Sequence, residues 1–184
     1  MIFYANYWLV REVVTVTFIN GIELSKRYHF EFVEPLISNH FPDLHYSSAL
    51  VGPGSEVLGY DTEMSADHDW GPRVLLFLQE QEIGLVDKIF QCLKSNAPDE
   101  FYGYPVDSKQ TVITSIPRFL KGKLGVDISK ELQLIDWLTF PSQVLAEIVS
   151  GEVYRDDSGQ LMNVREQLQY YPQDMAISNG IYLA

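Results

Sequence analysis

Between residues 18 and 39 apolar side chains return every fourth position, at Leu24, Tyr28, Phe32 and Leu36, with Val33 and Ile37 beside them. That stripe predicts a packed amphipathic helix. Pro35 falls inside it and predicts a bend or a loss of regularity, because proline removes a helical donor. After Phe41-Pro42-Asp43 the period changes. Residues 44–51 form a short run between that proline turn and Gly52-Pro53-Gly54, which predicts a strand entering a tight loop. Val74-Leu75-Leu76-Phe77-Leu78 is apolar at every position, as expected of a strand covered on both faces and central in its sheet.

Residues 81–94 carry a helical pattern, and residues 111–116 are β-branched and strand-like until Pro117, which cannot donate to a ladder. Helical segments are then expected at 118–124, 129–138 and 142–150, punctuated by Gly125, Pro141 and Gly151. Asp156-Asp157-Ser158-Gly159 signals a turn, followed by a helix over 161–170. The whole predicts an α+β fold: a small mixed sheet flanked by helices, with a helical C-terminal continuation. The expected organisation is an unassigned extension over 1–17, the sheet-bearing domain over 18–125 and the helical continuation over 126–184.

Composition agrees with one packed domain, since 184 residues of which 46% are hydrophobic can bury a substantial core. The formal net charge of −12 argues against a groove that grips nucleic acid by neutralising phosphates, a mode that needs clustered Lys and Arg. A bound cation would partly offset that acid. Cys92 is the single cysteine, so no internal disulfide, thiolate zinc site or redox pair is available, and a reducing cytoplasm fits best. His29, His40 and His45 show no metal-ligand spacing with one another or with Cys92. The opening MIFYANYWLV is apolar but has no basic start and soon meets Arg11 and Glu12. It is too short to span a bilayer, and it reads as a buried strand, a helix start or an extension without assigned function.

The chemistry concentrates where Gly54-Ser55 is followed, after eleven intervening residues, by Asp67-His68-Asp69. A turn with Gly and Ser can present backbone N–H groups and a hydroxyl to a triphosphate, because glycine lets the chain approach an anion closely. Asp67 and Asp69 are two apart, so on a strand their carboxylates share one face and His68 points the other way. Crowded carboxylates call for a cation between them, and hard oxygen ligands suit Mg²⁺ or Mn²⁺, which also bridges nucleotide phosphates. Two such ions can activate an attacking hydroxyl and steady a leaving pyrophosphate. An Asp-x-Asp alone is common in solvated loops; the preceding Gly-Ser turn and the apolar strand that follows make this one specific.

Gly54-Ser55 with Asp67-His68-Asp69 resembles the motif of the DNA polymerase beta-like nucleotidyltransferase superfamily over about twenty residues. The chain is also similar to an uncharacterised, mostly bacterial family, domain of unknown function 4037, regarded as nucleotidyltransferase-like. The shared stretches are GSEVLGYDTEMSADHDWGPR, LIDWLTFPSQ and VREQLQYYPQD. The superfamily resemblance implies that Gly54 and Ser55 bind phosphate and that Asp67 and Asp69 hold the metals. It implies a third acid on a neighbouring strand, whereas residues 111–116 contain no carboxylate and Asp107 just before them is the fallback catalytic acid. His68 also departs from the pattern, where an apolar residue separates the two acids. Relatives with VREQLQYYPQD continue into further helices, so the resemblance implies a helical half cut short at Ala184.

The expected function is therefore transfer of a nucleotidyl group from a nucleoside triphosphate to an unidentified hydroxyl acceptor, with Mg²⁺ or Mn²⁺. The alternatives are a catalytically degenerate nucleotide-binding or protein-interaction module of the same fold, and a phosphohydrolase. Arg73, just past the acids, reads either as a nucleotide-binding guanidinium or as the partner of Asp61 or Glu63. Trp70 and Trp137 read as packing before base stacking, and Tyr170-Tyr171-Pro172 as the end of a packed helix. Asp136 reads as a helix cap, and His68 as a packing residue or a hydrogen-bond partner behind the acids.

Overall fold

The computed structural model describes residues 18–62, 70–127 and 132–169. Asn20 opens the first helix, α1 (Gly21–Tyr28), its side chain accepting the Glu23 N–H at 2.9 Å, as a short polar residue does at this position. The long predicted helix then changes character. His29–Val33 is a π turn, closed by a bond from the Glu34 N–H to the His29 carbonyl, and α2 (Glu34–His40) follows with Pro35 in its first turn. Proline has no N–H to give the preceding turn, and the wider turn brings the chain into a fresh helical start where that N–H is not needed.

Strand β1 (Tyr46–Leu50) runs antiparallel to β2 (Leu75–Leu78), with Tyr46 opposite Leu78 and Ala49 opposite Leu75. A 3-10 turn, Glu80–Leu85, replaces the start of the predicted second helix, which becomes α3 (Val86–Asn96). Gly84 in that stretch disfavours a regular helix there. A small hairpin, β3 (Glu100–Phe101) and β4 (Tyr104–Pro105), precedes β5 (Val112–Thr114), which lies parallel to β2. Pro117 then falls in the first turn of α4 (Ile116–Leu124), which Ser115 caps. Three further helices, α5 (Leu134–Thr139), α6 (Ser142–Val149) and α7 (Gln160–Gln169), complete the described chain.

Between α6 and α7 lies an unpredicted strand, β6 (Glu152–Asp156), antiparallel to β1, so the sheet order is β5-β2-β1-β6. The C-terminal continuation is thus not helical throughout: it supplies an edge of the same sheet. Gly151, at φ 75°, makes the junction possible, since a Cβ there would stand 2.0 Å from the Leu50 carbonyl oxygen.

The sheet separates two cores. Leu75 and Phe77 of β2 face Leu120, Trp137, Phe140, Ile148, Leu161 and Val164 on one side. Val74, Leu76 and Leu78 face Tyr28, Val33, Ile37, Ile89 and Leu93 on the other. This two-sided cover explains why the 74–78 run is apolar at every position, and it places β2 beside β1 in the interior of the sheet as expected. No helix among the described residues is long and apolar enough to cross a membrane.

Candidate functional site

The Gly54-Ser55 turn leaves the end of β1 through Gly52 and Gly54, whose φ angles of 97° and 143° fall where only glycine rests without strain. The turn is anchored from two sides. The Gly52 N–H donates to the Glu147 carbonyl at 2.8 Å, and the Tyr60 N–H donates to the Ser55 carbonyl at 2.9 Å. Ser55 is half-buried. Its hydroxyl and the N–H groups of Gly54 and Ser55 make no hydrogen bond to any described residue. Three donors at one bend are thereby without a partner among the described residues.

Beneath the turn sits an ion pair that the sequence reading did not single out. Arg73 Nη2 donates to Glu56 Oε1 at 2.5 Å and to the Pro53 carbonyl at 2.6 Å. The side chains of Arg73 and Glu56 retain only 15% and 6% of their exposure. A pair so withdrawn from water holds geometry firmly, because removing one partner strands a buried charge at about 3–5 kcal/mol. Gly54 sits hard against this pair: a Cβ on it would stand 2.5 Å from both Arg73 Nη2 and Glu56 Oε2, so one or both side chains would have to shift. Arg73 is thus engaged with Glu56, not with Asp61. Asp61 instead accepts the Gly21 N–H at 2.6 Å and the Trp70 indole N–H at 3.4 Å, bringing the start of α1 to the loop. Gly21 also lacks room for a side chain, since a Cβ would meet Glu56 Cβ at 2.6 Å. Glu56 escaped notice because nothing in its sequence neighbourhood marks it; its partner is seventeen residues away.

Asp67, His68, Asp69 and Glu63 lie outside the described residues. The chain resumes at Trp70, which is 7% exposed, stacks on Phe18 at 5.7 Å between centroids and meets Tyr104 edge-on at 4.8 Å. It is a packing residue, and the same holds for Trp137 in the α-helical core. The Pro105 carbonyl stands 3.3 Å from where a Gly71 Cβ would be, so the segment that leads to β5 passes beside the chain leaving Trp70. Asp107 belongs to that segment; its Oδ1 accepts the Lys109 N–H at 2.9 Å and caps a 3-10 turn, Ser108–Gln110. Strand β5 itself, Val112–Thr114, has no carboxylate beside β2. Gln110 Oε1, 3.6 Å from the Gly71 Cβ position, is buried without a hydrogen-bond partner among the described residues.

Among the described residues no group of three or more His, Cys, Asp and Glu side chains could hold a metal ion. Asp67 and Asp69, the expected metal ligands, are not among these residues. The described histidines each have a hydrogen-bond partner: His29 Nδ1 shares a hydrogen bond with Ser48 Oγ at 3.0 Å, while His40 and His45 contact the Leu36 and Asp43 carbonyls at 3.0 and 3.1 Å. Asp136 does cap its helix, accepting the Gln133 N–H at 2.8 Å. Tyr170-Tyr171-Pro172 lies outside the described residues.

Fold and turn together define an α+β domain in which a glycine-serine bend joins two buried antiparallel strands of a mixed sheet. Residues 137–179 match the model of a family described as Domain of unknown function (DUF4037), which supports the resemblance to that family. The matched segment runs from α5 through α7 and does not include the Gly54-Ser55 turn. No curated protein and no solved structure matches the chain.

Proposed function

We propose that this domain binds a nucleoside triphosphate with Mg²⁺ or Mn²⁺ and transfers its nucleotidyl group to a hydroxyl acceptor. The reading rests on one observation above the others: at the Gly54-Ser55 bend two backbone N–H groups and a hydroxyl have no partner among the described residues. Donors gathered at a glycine bend suit phosphate oxygens, which accept hydrogen bonds and carry charge. In this reading Gly54 and Ser55 take the phosphates, Asp67 and Asp69 hold the metal, and Arg73 stands at the turn. The metal would polarise the α-phosphate and stabilise departing pyrophosphate. The protein's part is to hold the phosphates at the bend.

A second reading is favoured by strand β5, which offers no carboxylate next to β2. Without a third acid the domain would bind nucleotide and transfer nothing, with Asp107 the one candidate left on the approach to that strand. Titration calorimetry with ATP, GTP, CTP and UTP, with and without Mg²⁺, tests the shared part of both readings. Binding that requires Mg²⁺ and is lost in Asp67→Ala/Asp69→Ala is the expected outcome; equal binding by that variant removes the metal site. Pyrophosphate release with the labelled nucleotide retained on an acceptor then separates transfer from binding alone.

A further inference from the structure

We propose that Glu56 is a positioning residue for the phosphate-binding bend, acting through Arg73, an inference that rests on the nucleotide-binding reading above. Arg73 Nη2 grips the Pro53 carbonyl and Glu56 Oε1 at once, at 2.6 and 2.5 Å, and those two groups bracket Gly54 and Ser55 in sequence. The guanidinium is therefore a brace across the bend. It sits two residues before β2, so it also fixes the bend to the head of that strand. Its own backbone is tied to α1, the Arg73 N–H donating to Ser25 Oγ at 3.4 Å. Glu56 is in turn wedged against Gly21 and Gly54, where neither residue leaves room for a Cβ. Loosening the carboxylate lets the Pro53-to-Glu56 backbone relax, and the Gly54 and Ser55 N–H groups between those two residues lose the brace that fixes their positions.

The opposite role for Arg73, direct contact with phosphate, makes a prediction of opposite sign. If Arg73 were a phosphate ligand restrained by Glu56, neutralising that carboxylate would release the guanidinium and remove a negative charge that repels the anion, so binding would tighten. If Glu56 acts by positioning, the same change weakens binding even though it removes a repulsive charge. The sign separates the two.

The test uses the full chain and magnesium tripolyphosphate, a probe without a base, measured by calorimetry well below the unfolding midpoint of each variant. Glu56→Gln is expected to weaken binding about ten-fold or more, the scale seen when a residue that orients ligating groups is lost. Glu56→Asp keeps the charge but shortens the reach, and is expected to weaken binding in the same direction if Glu56→Gln does not fold. Asp61→Asn, which alters the hold on α1 and Trp70 but not the brace, serves as the comparison and is expected to change affinity much less. Unchanged or tighter binding by Glu56→Gln or Glu56→Asp, with the parent chain binding normally, overturns the positioning role and leaves the nucleotide reading intact. Failure of the parent chain to bind either tripolyphosphate or any nucleotide overturns both.

Discussion

His29 is fully buried on the π turn, stacked against Tyr154 at 5.5 Å and bonded through Nδ1 to Ser48, while its Nε2 has no partner among the described residues. Burial, and after it the charge of Arg155, pushes its pKa down to about 4. An unfolded histidine titrates near pH 6.5, so between these values the folded chain binds fewer protons than the unfolded one and stability rises with pH. The contribution is complete above about pH 6.5 and is lost on acidification towards pH 4, by about 3 kcal/mol from this one group. Urea unfolding at pH 7 and pH 4.5 should show a loss for the parent chain that His29→Phe reduces. An identical loss in both would mean that other groups, such as the carboxylates, govern acid sensitivity.

At the scale of elements, the transition from β5 to α4 shows how one residue starts a helix and ties it down. Ser115 is fully buried, accepts the Arg118 N–H at 3.4 Å and donates a very short hydrogen bond to Glu80. The Ser115 hydroxyl, followed by the charge of Arg118, holds the Glu80 carboxyl below its usual range. Pro117 in the first turn has its φ already set for a helix. Ser115→Ala removes a helix cap and leaves Glu80 without its nearest donor, so a loss of about 1–2 kcal/mol is expected in urea unfolding. A change within experimental error would mean that water replaces the hydroxyl fully. The π turn follows the same logic in reverse: Pro35 withholds a donor, and the chain widens at His29–Val33 to accommodate it.

The whole molecule is organised by β1 and β2, which are covered on both faces by separate groups of helices. Leu76 is fully buried in the layer formed with Tyr28, Val33 and Ile89, whereas Ile135 on α5 remains 64% exposed. Leu76→Ala should therefore cost about 2–5 kcal/mol, through lost burial and the cavity left behind. Ile135→Ala should stay within about 0.5 kcal/mol of the parent. Paired urea titrations check both, and comparable losses would contradict the division into a buried sheet and an open α5 face.

What the sequence determined alone was whatever depends on neighbours along the chain. The continuous apolar run at 74–78, the glycine-proline punctuation around residue 54, the fourfold stripe from Leu24 to Leu36 and the Asp156-to-Gly159 turn all carry their own periodicity or turn chemistry. From these follow the α+β class, the central strand and the bend that carries the candidate site. The tertiary structure decided what depends on distant partners. β6 is a strand because β1 offers it an edge, with Ser47 opposite Asp156, although its short EVYRD segment has no strong pattern. Glu56 reads as one more loop carboxylate until folding brings Arg73 across from seventeen residues away. The physical division lies in range: local backbone preference and hydrophobic period are written in consecutive residues, whereas buried charge pairing and sheet edges exist only once the chain has closed upon itself.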